Sequence, residues 1–278
     1  MKEPAVSADP TQVLAFETDC HIFDGCGFPA PGLHSFLFEP LVGDADSNVY
    51  FNKTMLLALL GSVIVVGFFW AAFRKPQVVP GKLQMVAESG YDFIRRGVVY
   101  ETIGKKEGEK YVPLVVSLFF FIWMMNLWSI VPIAQFPVTS IIAYPAVLAA
   151  IVYVLWVSLT FKRHGFVGAF KNFSGYDKSL GAILPLIVVL ELLSNLIVRP
   201  FTHAVRLFAN MFAGHTLLLL FTLASWYLLN GIGFAYAGVS FIMVIVMTAF
   251  ELFIQALQAY VFVLLTCTFI QGALAEHH

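Results

Sequence analysis

The chain has 278 residues, 59% of them hydrophobic and only 12% charged, with 28 phenylalanines and a formal net charge of −1; its mean hydropathy is +0.83. A soluble domain carries about 25% charged residues, so the composition excludes an ordinary soluble fold, and the balanced charge gives no basis for nucleic-acid binding. The charges are segregated instead: residues 1–50 hold eight acids and one lysine, whereas residues 74–110 hold eight basic and five acidic residues.

Residues 1–50 read as a separate acidic segment without the apolar h-region of a conventional cleavable signal peptide. Cys20 and Cys26 lie in it, six residues apart. Three readings stand for them: a disulfide in an oxidising compartment, unpaired thiols, or a metal site with His21, His34 and nearby acids, whose spacing matches no standard ligand set. Thr54 to Phe73 follows as 20 uncharged residues between Lys53 and Arg74, close to the roughly 20 that an α-helix needs to cross about 30 Å of hydrocarbon. The loop from Arg74 to Lys110 then places Leu83, Val86, Tyr91, Ile94 and Val98 at helical spacing, which predicts an amphipathic helix on the membrane surface, docked on lipid or a partner subunit.

Tyr111 to Phe161 is 51 uncharged residues, too long for one span and broken by Pro132, Pro137 and Pro145. It predicts two spans, about 112–133 and 141–161, joined by a turn around Gln135 to Ser140. The second basic loop, Lys162 to Lys178, lies on the same side as the first, and the positive-inside rule puts both in the cytoplasm. Two long apolar segments remain, about 180–229 and 234–274, separated by the turn signal Asn230-Gly231-Ile232-Gly233. Each exceeds a simple crossing, which predicts tilted or near-horizontal helices. The expectation is an all-α polytopic membrane protein: an outer acidic segment over residues 1–50 and a membrane domain over 51–278 with five segments, the last two an antiparallel hairpin. The N-terminus falls outside and the C-terminus in the cytoplasm.

Between Ser179 and Ala275 only four side chains carry formal charge, Glu191, Arg199, Arg206 and Glu251. An ionisable group at mid-membrane costs roughly 2.5–3.5 kcal/mol on insertion scales, and such groups face a bundle interior, a water-filled path or a partner charge. Arg206 and Asn210 share a helix face, with His203 and Arg199 about one and two turns earlier. Glu251, Gln255 and Gln258 form a second polar stripe. Antiparallel pairing of the two stripes matches Arg206 with Gln258, Asn210 with Gln255 and His215 with Glu251 at successive levels, although nine residues turn a helix by about 180° and carry His215 to the far side from Arg206.

Bland readings compete. Arg199 precedes Pro200, where helices tend to be interrupted, and its side chain could anchor by snorkelling to the interface. His215 and Glu251 would also serve as a plain buried ion pair. Glu191, nearer the inner surface, stands open between structural and functional roles. His203 reads as a satisfied polar residue and Cys267 as packing. Arg206 lies about 10 Å deeper than Arg199 along a helix and reads as functional.

The segments RLFANMFAGH at 206–215 and ELFIQALQAYVFVLLT at 251–266 together resemble the subunit a family of F-type ATP synthases. PGKLQMVAE at 80–88, KYVPLVVSLFFFIWMMNL at 110–127 and RPFTHAVRLFANM at 199–211 agree in order, and the resemblance covers about residues 34–275. It implies a stationary, non-catalytic proton-channel subunit beside a rotating ring of c subunits in a bacterial plasma membrane. Peripheral-stalk b subunits, other ATP synthase subunits, the lipid bilayer and protons would be its partners, with no cofactor or metal. By the resemblance Arg206 is the essential arginine facing the ring, Gln258 lies close to it and Asn210 belongs to the same motif. His215 and Glu251 occupy two positions of the outer half-channel, while the inner path passes Glu191 and Asn195, and Gln255 completes the polar stripe of the last helix. Some bacterial members have carboxylates after the Asn-Leu of the second span; here Asn126-Leu127-Trp128-Ser129-Ile130-Val131-Pro132-Ile133-Ala134 has none, so other polar groups must serve the entry path. A stand-alone secondary ion transporter is the alternative, but it calls for internal repeats, which this sequence lacks. An intramembrane protease calls for motifs such as HExxH or GxSxG, also absent.

Overall fold

In hydrocarbon every backbone N–H and C=O must find its partner internally, and long uncharged stretches of this chain accordingly fold as helices. The computed structural model describes residues 31, 40–42, 51–131, 134–174, 184–229 and 234–274. The elements are strands β1 (Pro40–Val42) and β2 (Phe51–Asn52), then helices α1 (Lys53–Phe73), α2 (Lys82–Ile94), the single turn α3 (Lys105–Gly108), α4 (Val112–Leu127), α5 (Ala143–Ser174), α6 (Leu184–Leu193), α7 (Arg199–Tyr227) and α8 (Phe234–Leu274). The fold is helical, with one departure from the all-α expectation: β1 and β2 pair as a small antiparallel ribbon. Cys20, Cys26, His21, His34 and the turn at 230–233 lie outside the described residues.

Four helical stretches are long and apolar enough to cross a membrane: Lys53–Phe73, Ala143–Lys171, Leu184–Tyr227 and Phe234–Leu274. Among the described residues the second apolar helix, α4, is shorter than these, with 16 residues, about 24 Å at 1.5 Å per residue. It stops at Leu127 rather than near 133. Tight turns replace it, with Ser129 N–H donating to Asn126 O at 3.1 Å, Ile130 N–H to Leu127 O at 3.1 Å and Phe136 N–H to Trp128 O at 3.3 Å. Gln135 closes this turn with φ 44°.

Two proline and glycine effects shape the rest. Pro200 has no N–H to donate and its ring crowds the preceding turn. The helix is not interrupted there, as the sequence suggested, but widens into a π-turn over Ser194–Val198 before continuing as α7. In α5 the helix breaks at Gly165, with φ 67° and ψ −176°.

The chain forms two compact units, Ala213–Glu251 with the N-terminal residues, and Pro40–Phe212 with Leu252–His278. In the larger unit α4 is central, with Val112, Val115, Phe119, Ile122 and Met125 packed against Ile94, Val98 and Val99 and against Ala259, Phe262, Val263 and Cys267 of α8. The predicted stripe of α2 is split: Ile94 and Val98 are buried and Tyr91 packs on the core, whereas Leu83 and Val86 are exposed. The core side of α2 is set by Ala87, whose small side chain is fully buried. In the smaller unit α7 and α8 run antiparallel, Ser240 Oγ donating to Phe221 O at 2.8 Å and Ser225 Oγ to Ala237 O at 3.4 Å.

Candidate functional site

In the larger unit the first half of α7 turns one face outward and one inward. Leu207 and Met211 are buried, and the rotation of about 100° per residue leaves Arg206 and Asn210 on the exposed face. Among the described residues no ion pair joins the Arg206 guanidinium to a carboxylate. Asn210 Nδ2 donates to Gln258 Oε1 at 2.5 Å, which fixes the register of α7 against α8 in this unit.

That bond corrects the predicted pairing of Asn210 with Gln255. Gln255 and Gln258 are three residues apart, close to but not on the same line down the helix, and the small angular difference sends them to different neighbours. Gln255 is fully buried and its Nε2 donates to Ser129 Oγ at 2.6 Å. Ser129 in turn follows Asn126, whose Oδ1 accepts a hydrogen bond from the Thr139 hydroxyl. Four buried atoms of this set, Asn126 Nδ2, Trp128 Nε1, Gln255 Oε1 and Gln258 Nε2, have no hydrogen-bond partner among the described residues. Buried polar atoms are nearly always bonded to protein or to ordered water. Asn126, Ser129 and Thr139 were not picked out by sequence as a site; the available signal was polar side chains where related sequences carry carboxylates.

Upstream on the same helical stretch, Asn195 sits in the π-turn, buried, with Nδ2 donating to Phe173 O at 2.8 Å and Oδ1 unpartnered among the described residues. Glu191 is half-buried. Arg199 lies over the Phe269 ring at 6.0 Å, a cation–π contact that suits an anchoring role. His203 was expected to be a satisfied polar residue; its ring centroid lies 3.9 Å from that of Phe262 with the planes tilted by 32°, but its buried Nε2 has no partner among the described residues. Cys267 is buried in the core.

In the smaller unit His215 and Glu251 are 2% and 3% exposed. Glu251 lies against the glycine next to His215: a Cβ on Gly214 would stand 3.8 Å from Glu251 Cγ. That is an ordinary van der Waals distance, so the two helices lie side by side at this level. Among the described residues no group of three His, Cys, Asp or Glu side chains is placed to hold a metal ion.

A buried acid beside a histidine, an outward arginine on a membrane-length helix and an amide–hydroxyl set are thus held by α4, α7 and α8. Residues 55–271 match the family model described as ATP synthase A chain. The chain belongs to this family. An ATP synthase subunit a from Streptomyces lividans is 86% identical over 99% of this chain and 98% of its own length. The subunit a of Frankia alni is 43% identical over 84% and 81% of the two chains, and that of a Nocardioides species 39% over 92% and 96%. The ATP synthase A chain match takes in all eight predicted site residues, from Glu191 to Gln258. The alignment to the Streptomyces protein spans 274 residues, so the acidic N-terminal segment is shared with that relative although it precedes the family match.

Proposed function

We propose that this chain is the stationary proton-translocating subunit of an F-type ATP synthase, passing protons between two offset aqueous half-channels and the carboxylates of a rotating c-ring. The observation that carries the reading is Arg206: a permanent cation, exposed on an apolar helix, without a carboxylate partner among the described residues. Lipid is a costly neighbour for it; a ring carboxylate on another subunit is a fitting one.

The chemistry follows from charge. A ring carboxyl in lipid is held neutral, because the bare anion is too costly there. Within about 4–6 Å of a guanidinium the ionised form is favoured, so each carboxyl gives up its proton on nearing Arg206 and takes one after leaving. Protons enter from outside by way of His215 and Glu251, helped by the polar set of Asn126, Ser129, Thr139 and Gln255. They leave toward the cytoplasm past Asn195 and Glu191. Asn210 and Gln258, bonded to each other, hold the helix face that presents Arg206. The fixed cation separates the two paths, and each proton that crosses contributes about 2.3 kcal/mol per 100 mV of membrane potential.

In this reading the chain crosses a bacterial plasma membrane five times, with α4 and its following turn as the second crossing and α7 and α8 as a tilted hairpin. Residues 1–50 lie outside, residues 51–278 form the membrane domain and the C-terminus is cytoplasmic. The c-ring and the peripheral-stalk b subunits are its neighbours, and the chain itself catalyses no bond-making step. Arg206→Ala in inverted membrane vesicles tests it: ATP-driven proton pumping should vanish in complexes that still co-purify with the ring, and passive proton leak should rise. Undiminished pumping by an assembled Arg206→Ala complex would overturn the reading.

A further inference from the structure

Between α1 and α4 the larger unit carries an open groove of about 720 Å³ that the proton path does not use. Helices α1 and α4 touch at Gly61, where an added Cβ would come within 2.5 Å of Met125 Cε. From there the groove runs along α1 from Ser62 to Phe73 and along α4 from Phe121 back to Pro113, with Tyr91 of α2 in its wall. Ser62 to Phe73 is about 16 Å of helix at 1.5 Å per residue, half of the roughly 30 Å hydrocarbon layer. The groove is thus one leaflet long.

Its lining is apolar and aromatic apart from Ser62 and Ser117, and cations stand next to it at the end where α1 stops. There Trp70 lines the groove and the Arg74 guanidinium lies 4.9 Å over the Trp70 ring; Lys75 follows, and both cations are exposed. A tryptophan beside lysine and arginine marks the water–hydrocarbon boundary, and this is the boundary next to the basic loop. We propose that the groove is a binding site for an anionic two-chain phospholipid of the inner leaflet, acyl chain along Phe69, Trp70 and Leu114 and phosphate at Arg74 and Lys75. Size and charge both choose this occupant. The groove is one leaflet long, the reach of an acyl chain, whereas a transmembrane helix crosses both leaflets of the roughly 30 Å hydrocarbon layer. A neutral lipid would leave the two cations at the mouth unanswered. The proposal does not depend on the proton path.

The test uses the intact, purified ATP synthase containing this chain, delipidated in detergent, exposed to mixed phosphatidylglycerol and phosphatidylcholine vesicles and read by native mass spectrometry. Wild type should retain phosphatidylglycerol, and Arg74→Gln with Lys75→Gln should lower that retention about thirtyfold, at about fivefold for each cation near the membrane surface, with phosphatidylcholine unchanged. Ser117→Trp, which fills the groove from its α4 wall, should displace the lipid with the cations intact. Equal retention by wild type and both variants would overturn the proposal. A photoreactive side chain placed at position 66 gives a reading that does not depend on any variant folding well: cross-linking to phospholipid supports the site, and cross-linking to another subunit overturns it. Pumping by Arg206→Ala has no bearing on either result.

Discussion

Helices α4 and α6 are almost equally apolar in sequence, yet α4 buries eight of its 16 residues and α6 buries none of its ten. The difference teaches that hydropathy reports the solvent a helix was selected for and says nothing of its neighbours. Helix α4 is a core element that happens to lie in a membrane, whereas α6 and the exposed face of α7 belong to surfaces that lipid or other subunits complete. Charge follows the same division: the side chains buried around α4 are neutral, and Arg206 is displayed.

The sharpest way to break this comparison is a matched truncation. Ile122→Ala should destabilise the subunit by about 2–5 kcal/mol, the usual cost of removing a large side chain from a packed core, whereas Leu193→Ala should change stability by no more than about 0.5 kcal/mol. Thermal denaturation of the detergent-solubilised subunit would measure both, and equal losses would erase the distinction. Next in size is Gly61→Val. Its Cβ would collide with Met125 Cε at 2.5 Å and crowd Trp128 Nε1 at 3.0 Å, an overpacking that costs about 1–3 kcal/mol, seen as a lowered Tm. Gly67→Val, six residues on and in open space, should be close to neutral.

A smaller effect sharpens the polar side of the comparison. Gln255→Leu removes the bond to Ser129 and strands its buried hydroxyl, a loss of about 1 kcal/mol; adding Ser129→Ala should return most of it while proton pumping stays impaired. Full recovery of pumping in that double variant would show that the set serves packing alone. The smallest effect is at the exposed clasp of Arg95, Tyr100 and Glu109, where Arg95 Nη2 lies 2.7 Å from Glu109 Oε1. The Tyr100 hydrogen bond, and then Arg95, hold the Glu109 carboxyl below its ordinary value of 4.5. A lowered carboxyl stabilises above its ordinary range and loses that contribution as the pH falls through the lowered value. Limited proteolysis of the Gly104 to Tyr111 loop should therefore quicken below pH 4.5, slightly, because solvent screens the pair, and Glu109→Gln should remove that dependence.

Sequence carried the helical class and most span positions, because uncharged length and flanking lysines and arginines are direct consequences of bilayer thickness and topology. It also singled out Arg206, since the deeper of only two cations in 97 nearly uncharged residues has few explanations. It did not resolve what depends on a few tens of degrees of helix rotation. The choice of Gln258 over Gln255 as the partner of Asn210 is one such case. The bond from Gln255 to Ser129 joins residues 126 positions apart, and no local spacing announces it. Nor did the pattern foresee that α4 would end at Leu127, a stop set by a turn whose bonds close within the chain rather than by any break in hydropathy. The stripe on α2 divides, Leu83 and Val86 being exposed, and its core side is set by a small residue, Ala87, which a search for bulky apolar positions passes over.

The break at Gly165 carries a consequence for how this sequence can drift. Its φ of 67° with ψ of −176° lies in a region that is essentially glycine's alone, and a Cβ there would meet nothing within 4 Å. No neighbour forbids a side chain; the backbone alone does. A mutation at 165 therefore cannot be rescued by a second change in a packing partner, because there is none to change. Its neighbours Phe166, Val167 and Phe170, all exposed, are free to exchange among apolar types while position 165 stays fixed, a lone constant in a variable stretch.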